Sequence, residues 1–239
     1  MTGLRTIDYG HDGHALQGQL ATPAVGGPHP AVLVMHDARG LGELVRRRAQ
    51  ALAELGYVAL AADMYGGGVF HADAPQGGTL MHALHDEPGR LRGRVLAGFE
   101  ALKAQPGVDP ARIGAIGFCF GGQCVLELAR SGADVKSVVS FHGLLTSALP
   151  ARPGAVKAKV LVLTGARDPY APPDHVDGLR EEMTRAGADW QVTVYGEGWH
   201  AFTDPSASEM TNIPGVRYDP LLDKLSWAQA MAMLEATLR

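Results

Sequence analysis

Residues 113–122 read Ile-Gly-Ala-Ile-Gly-Phe-Cys-Phe-Gly-Gly. The first six, Ile113 to Phe118, are apolar or small at both parities. That marks a strand buried on both faces. A helix is expected to follow over Gly121 to Arg130. Cys119 therefore falls in a tight strand-to-helix turn between Gly117 and Gly121. This is the G-x-nucleophile-x-G form of a nucleophile elbow, with Cys where Ser is usual. Side chains at 117 and 121 would collide with neighbouring elements, so both positions ask for glycine. The helix N-terminus offers free N–H groups and a positive dipole end, which favour a thiolate. A buried Cys in a Gly-rich turn has the same local pattern.

The rest of the chain repeats the strand–helix theme. Short apolar runs lie at Ala31–Met35, Val58–Ala62, Ser137–Phe141, Val160–Thr164 and Gln191–Tyr195. Helical spacing covers Leu44–Leu55, Gly89–Ala104, Asp174–Ala186 and Leu221–Leu238. The alternation predicts an α/β fold: a mostly parallel central sheet with helices on both faces. No repeat and no linker interrupts it, so residues 1–239 are expected to form one domain. Ligands of such sheets sit beyond the carboxyl ends of the strands.

Two further strand ends carry chemistry. Gly165-Ala166-Arg167-Asp168-Pro169 follows one run and Gly198-Trp199-His200-Ala201-Phe202 another. An Asp-Pro turn and a surface histidine are each ordinary when met alone. In chain order, Cys119, Asp168 and His200 give nucleophile, acid and base, the order of an α/β-hydrolase. Cys119 would attack a carbonyl and form an acyl-thioester. His200 would take the thiol proton and later activate water. Asp168 would hold the imidazole tautomer. The oxyanion needs two donors; the backbone N–H groups of Phe120 and Ala38 are the expected pair.

Composition narrows the alternatives. The chain has 239 residues, 46% hydrophobic and 19% charged, with a net charge of −4. No basic face is implied, so nucleic acid is a poor partner. No apolar run of about 18 residues suggests a membrane span, and residues 1–10 lack the apolar stretch of a secretory signal. The two cysteines, Cys119 and Cys124, fit a reducing cytoplasm. Cys124 reads as a small core residue. His71, His82 and His85 fall in a Gly- and Met-containing segment, 65–87, that reads as a substrate lid. No third ligand accompanies His82 and His85, so neither metal nor cofactor is expected.

The chain resembles the dienelactone hydrolase family of α/β-hydrolases over roughly Pro30 to Leu238. The residues that carry the resemblance are His36-Asp37-Ala38-Arg39-Gly40-Leu41, Gly56-Tyr57-Val58-Ala59, Asp63-Met64-Tyr65-Gly66, Arg112-Ile113-Gly114 with Gly117 to Gly122, Asp168-Pro169 and His200-Ala201-Phe202-Thr203. The resemblance implies a Cys–His–Asp hydrolase of esters or lactones. It also implies a carboxylate near the resting thiol that gates activation. The family commonly has Glu there, and this chain has Asp37, one methylene shorter. His36 would point into the site or sit in the core. Family members that bind a substrate carboxylate use arginines, one of them soon after the catalytic His. Here Ala201 to Pro205 holds none. Arg39, Arg217, Arg90, Arg92 and Arg94 are the candidates left, and a neutral ester or lactone becomes as good a substrate. Tyr65, Phe118, Trp199 and Phe202 are expected to line the substrate pocket, with Phe70 and Phe120 as further aromatics near it. The leading expectation is a cytoplasmic hydrolase of a small ester or lactone, a monomer or small homo-oligomer. The alternatives are a non-enzymatic binding scaffold and a redox-responsive thiol protein in which Cys124 resolves Cys119.

Overall fold

The computed structural model describes residues 3–72, 74–87, 89–210 and 212–239. Strands β1 (Leu4–His11) and β2 (His14–Ala21) form an antiparallel hairpin. Its turn is Asp12-Gly13, at φ 50° and 76°. Asp-Gly suits such a two-residue turn, whose twist matches the strands. Then come β3 (His29–Met35), β4 (Val58–Ala62), β5 (Val108–Phe118), β6 (Ser137–Phe141), β7 (Lys159–Gly165) and β8 (Asp189–Tyr195). They join one sheet in the order β1-β2-β4-β3-β5-β6-β7-β8. The pairs from β4 to β8 are parallel, and β2 meets β4 antiparallel. The helices are α1 (Glu43–Glu54), α2 (Ala74–Ala83), α3 (Arg90–Lys103), α4 (Phe120–Arg130), α5 (Pro173–Arg185) and α6 (Pro220–Leu238).

The period-2 geometry of a strand sends alternate side chains into two core layers. On one face Leu33, Met35, Val160 and Val162 meet Val95 and Phe99 of α3 and Cys124 and Leu128 of α4. On the other Val32, Val34, Leu161 and Leu163 meet Val45 and Leu52 of α1 and Ala230 and Leu234 of α6. Both faces being apolar explains why β3, β4, β6 and β7 read as continuous runs. α6 comes very close to β5: a Cβ on Gly114 would stand 2.9 Å from Leu234 Cδ2. Among the described residues no helix is long and apolar enough to cross a membrane.

Three elements lie outside the strands and helices expected from sequence: β1, β2 and α2. β1 is buried on one side only and reads as polar. β5 also starts earlier than expected, because Val108 pairs with His29 of β3.

Candidate active site

The elbow is built by close backbone approach. A Cβ on Gly117 would stand 1.9 Å from Gly121 O, one on Gly121 2.2 Å from Met35 O, and one on Gly122 2.5 Å from Gly143 Cα. Only glycine permits this, and it lets α4 start against the ends of β3 and β6. Cys119 takes φ 56° and ψ −116°. A left-handed φ in a non-glycine residue is strained, and such strain gathers at functional sites. Its N–H donates to Phe141 O at 3.0 Å. The thiol is partly exposed at the sheet edge.

The next two strand ends interlock. Arg167 N–H donates to Gly198 O at 2.9 Å, and a Cβ on Gly165 would stand 2.2 Å from that same oxygen. The turn after β7 and the loop after β8 are therefore fixed relative to each other. Asp168 Oδ1 accepts from Tyr170 N–H and Oδ2 from His200 Nδ1, each at 2.8 Å. Asp168 and His200 are buried. With Nδ1 committed to Asp168, Nε2 is left for Cys119, whose side chain acts on the His200 ring. Burial alone would lower the His200 pKa. The Cys119 charge and the bonds to Asp168 and Cys119 outweigh it and push the imidazole up to about 10. The arrangement can hold an imidazolium beside a sulfur anion. Tyr170 lies over His200 with ring centroids 4.7 Å apart.

Phe120 opens α4, so its N–H has no intrahelical partner and is free to meet an oxyanion. Ala38 lies in the loop after β3. Its carbonyl accepts from the Tyr65 hydroxyl at 2.8 Å, and the segment after β4 is zipped to the loop through Leu41 N–H to Val69 O and His71 N–H to Arg39 O, each at 2.8 Å. Tyr65 also stacks on Phe120, with centroids 6.2 Å apart at 11°. The buried Asp63 carboxylate shapes that segment by accepting N–H groups from Gln17, Tyr65, Gly66 and Gly68. Asp73 of the expected lid lies outside the described residues.

Several expected side chains sit elsewhere. Phe118 and Phe202 are fully buried in the layer under α1 and α6, Phe118 stacking on Phe141 at 4.7 Å. They are core residues: Phe118 ends the buried strand β5, and Phe202 packs edge-on against His142 and Tyr195. Trp199 lies near Arg167 and is partly buried. His36 is buried; its Nε2 accepts from Met64 N–H at 3.1 Å, so its proton is on Nδ1, facing Asp37 O at 2.6 Å. Asp37 receives Arg39 N–H on Oδ1 and the Arg39 guanidinium on Oδ2, both at 2.7 Å. The same guanidinium reaches Asp204. The carboxylate expected near the thiol is thus engaged by arginine, and Arg39 has no charge to spare for a substrate carboxylate. Arg92 is likewise spent on Glu127, and Arg90 on Glu87. A groove of about 1280 Å³ runs between α1 and residues 204–214; Asp37, Arg39 and Asp204 line it, Cys119 and His200 do not. Among the described residues no cluster could hold a metal ion. Cys124 is wholly buried, and burial pushes its thiol up.

Sequence reading passed over His142 and Tyr170. Each could have been found by the rule that picked the others: His142 is the first residue after β6, and Tyr170 lies two past Asp168.

A sequence profile of the dienelactone hydrolase family matches residues 16–238. The chain belongs to the dienelactone hydrolase family. This is a family of hydrolases, and the fold is its α/β-hydrolase fold. The chain is 31% identical to a Methylorubrum extorquens protein provisionally named carboxymethylenebutenolidase, over 76% of this chain and 66% of that one. It is 35% identical to an uncharacterised Caenorhabditis elegans protein over 63% of this chain and 96% of that one. A solved dienelactone hydrolase-like promiscuous phosphotriesterase, P91, from metagenomic libraries is 36% identical with a TM-score of 0.94, covering 100% of this chain and 99% of that one. Another solved structure, m3DLH, is 38% identical with a TM-score of 0.93 and the same coverage.

Proposed function

We propose that this dienelactone hydrolase family member is a cysteine-dependent hydrolase of small, uncharged carboxylic esters or lactones. The observation that carries the reading is the His200 imidazole, bonded to Asp168 at 2.8 Å and acted on by Cys119 at the strained elbow. His200 takes the Cys119 thiol proton. Cys119 sulfur attacks the carbonyl carbon, and the N–H groups of Phe120 and Ala38 receive the oxyanion. His200 returns its proton to the leaving alkoxide, and the acyl group stays on sulfur as a thioester. His200, now neutral, takes a proton from water. Hydroxide attacks the thioester, the carboxylic acid leaves, and the thiolate–imidazolium pair is restored. Asp168 keeps the Nδ1 proton in place throughout.

An uncharged substrate is supported by the pairing of Arg39, whose guanidinium already meets two carboxylates. A neutral phosphotriester is a second substrate class, on the strength of the likeness to P91. There the same sulfur would attack phosphorus and expel an aryloxide. The working thiol suits a reducing cytoplasm, and we read the chain as one domain.

The test is hydrolysis of p-nitrophenyl acetate and butyrate by wild type and Cys119→Ala, after titration of the thiol with iodoacetamide. Turnover lost with the Ala substitution and with alkylation is expected. Ala variant turnover equal to wild type removes Cys119 from the chemistry.

A further inference from the structure

One buried titratable side chain touches the site and has no part in the steps above. His142 follows β6, which lies between β5 and β7 in the sheet. It therefore sits between the elbow and the acid turn. Its N–H donates to Leu163 O at 2.7 Å. It takes φ 38°, a left-handed backbone that side chains other than Asn, Asp and His rarely adopt. The chain then enters Gly143, which lies against the elbow helix: a Cβ there would stand 2.8 Å from Gly122 Cα. The His142 side chain is thus fixed from the backbone outward.

The ring is 1% exposed. It meets the His200 ring edge to face, with centroids 5.4 Å apart at 67°, and Phe202 at 5.0 Å and 82°. Phe118 stands at 6.2 Å. Nε2 and Thr203 Oγ1 are hydrogen-bonded at 2.8 Å. Nδ1 is buried with no partner among the described residues. Thr203 lies three residues past His200, so the tether belongs to the loop that carries the base. A core position needing only apolar volume would not keep an imidazole with one nitrogen unsatisfied.

We infer that His142 is a positioning residue: tethered to Thr203, its ring backs the His200 imidazole and holds it in line between Asp168 and Cys119. The inference rests on the reading of Cys119 and His200 as the reacting pair. The hydrogen bond to Asp168 fixes Nδ1 of His200 but leaves the ring free to rock about it. Tyr170 at the surface and His142 in the interior are the rings that limit this motion. The titratable groups that face the pair are Asp168, Tyr170, His142, Tyr65 and Cys124; those that act on His142 are His200 and Arg48. Burial first, then His200 and Arg48, hold His142 well below the ordinary histidine range. It therefore stays neutral and adds no like charge beside an imidazolium.

The experiment uses the full chain and two variants. His142→Asn keeps a residue that tolerates the left-handed backbone and removes the ring. Thr203→Val cuts the tether and leaves the ring. The pH profile of Cys119 alkylation by iodoacetamide reports the pair itself, without any substrate. Turnover of p-nitrophenyl acetate separates kcat from KM. We expect kcat to fall about 10–100-fold in His142→Asn and by less in Thr203→Val, with KM nearly unchanged. In both, alkylation at neutral pH slows and the profile moves to higher pH. A merely structural role would lower Tm and leave the profile where it is. A folded variant of either kind with the wild-type profile and kcat overturns the inference. If His142→Asn does not fold, Thr203→Val decides. Should Cys119→Ala keep wild-type turnover, the hydrolase reading fails, yet the alkylation profile still reports on His142 independently.

Discussion

Arg39 joins two carboxylates that lie far apart in sequence. Its guanidinium meets Asp37 at 2.7 Å and Asp204 at 2.5 Å, with the Arg39 side chain 12% exposed and the acids 16% and 7%. Asp204 in turn caps the short helical turn at Pro205–Glu209 through Ser206 N–H. One planar, forked cation therefore ties the oxyanion loop to the segment just past His200. Removing it would leave two carboxylates near each other in a partly dry site. Breaking a buried pair from one side is costly, because the orphaned charge stays behind. Arg39→Met is expected to lose up to about 3 kcal/mol, discounted from the fully buried case for the remaining solvent access. Urea unfolding at pH 7 reads this directly. Arg39→Lys should recover only part, since a point charge cannot fork onto both acids. A Met variant within about 0.5 kcal/mol of wild type would mean that the cluster is solvated and idle.

At the scale of elements, α2 comes closest to the loop after β3 at Gly77. A Cβ on Gly77 would stand 2.4 Å from Ala38 O and 2.9 Å from Arg39 Cα, while one on Gly78 meets nothing within 4 Å. Replacing a helical glycine by alanine normally stabilises by roughly 0.5–1 kcal/mol. Gly78→Ala should show that gain with unchanged turnover. Gly77→Ala should do the reverse: the methyl pushes on the backbone that carries an expected oxyanion donor, so Tm and kcat fall together. Equal behaviour of the two variants, by thermal melt and ester turnover, would detach α2 from the site. α2 also shows why part of the fold was hard to read. Its segment is Gly-rich and weakly patterned, and what orders it is contact with residues 38 and 39, which local sequence does not display. The β1–β2 hairpin was missed for another reason. Its strands are buried on one side and polar on the other, although Asp12-Gly13 is a strong turn signal. The central strands were legible because both faces are covered. The turns after β5, β7 and β8 were legible because each demands glycines at set offsets. His142 stands at a strand end like the others, but its contact with His200 shows only once the sheet order sets the two side by side.

Across the whole molecule, two histidines are folded in as neutral groups on different sides of the elbow. His36 must keep Nε2 bare to accept the Met64 N–H, and burial above all holds its pKa below the ordinary value. His142 is held well below it, by burial first and by His200 next. In the unfolded chain both would titrate near about 6.5. Between that value and their lower folded values the unfolded chain binds more protons than the native one. Stability from these groups is therefore complete above about 6.5 and is lost as the pH falls below it. His200 has the opposite sign: its folded value, raised to about 10, makes its contribution full below about 6.5 and lost as the pH rises through about 10. It cannot cause loss on the acid side. Each buried neutral histidine gives a slope of up to about 1.4 kcal/mol per pH unit. Going from pH 7.5 to 5.5 should thus cost up to about 2–3 kcal/mol for the pair, and the opposite contribution of His200 offsets about 1.4 kcal/mol of it, before most carboxylates begin to protonate. The measurement is urea unfolding at half-unit pH steps, comparing slopes rather than absolute stabilities. His142→Asn should remove up to about 1.4 kcal/mol of the loss between pH 7.5 and 5.5, whatever constant offset it adds. A His142→Asn curve with the same pH dependence as wild type would mean that the folded His142 ring takes up its proton as readily as the unfolded chain does. The ring behind His200 would then carry a charge below about pH 6.5.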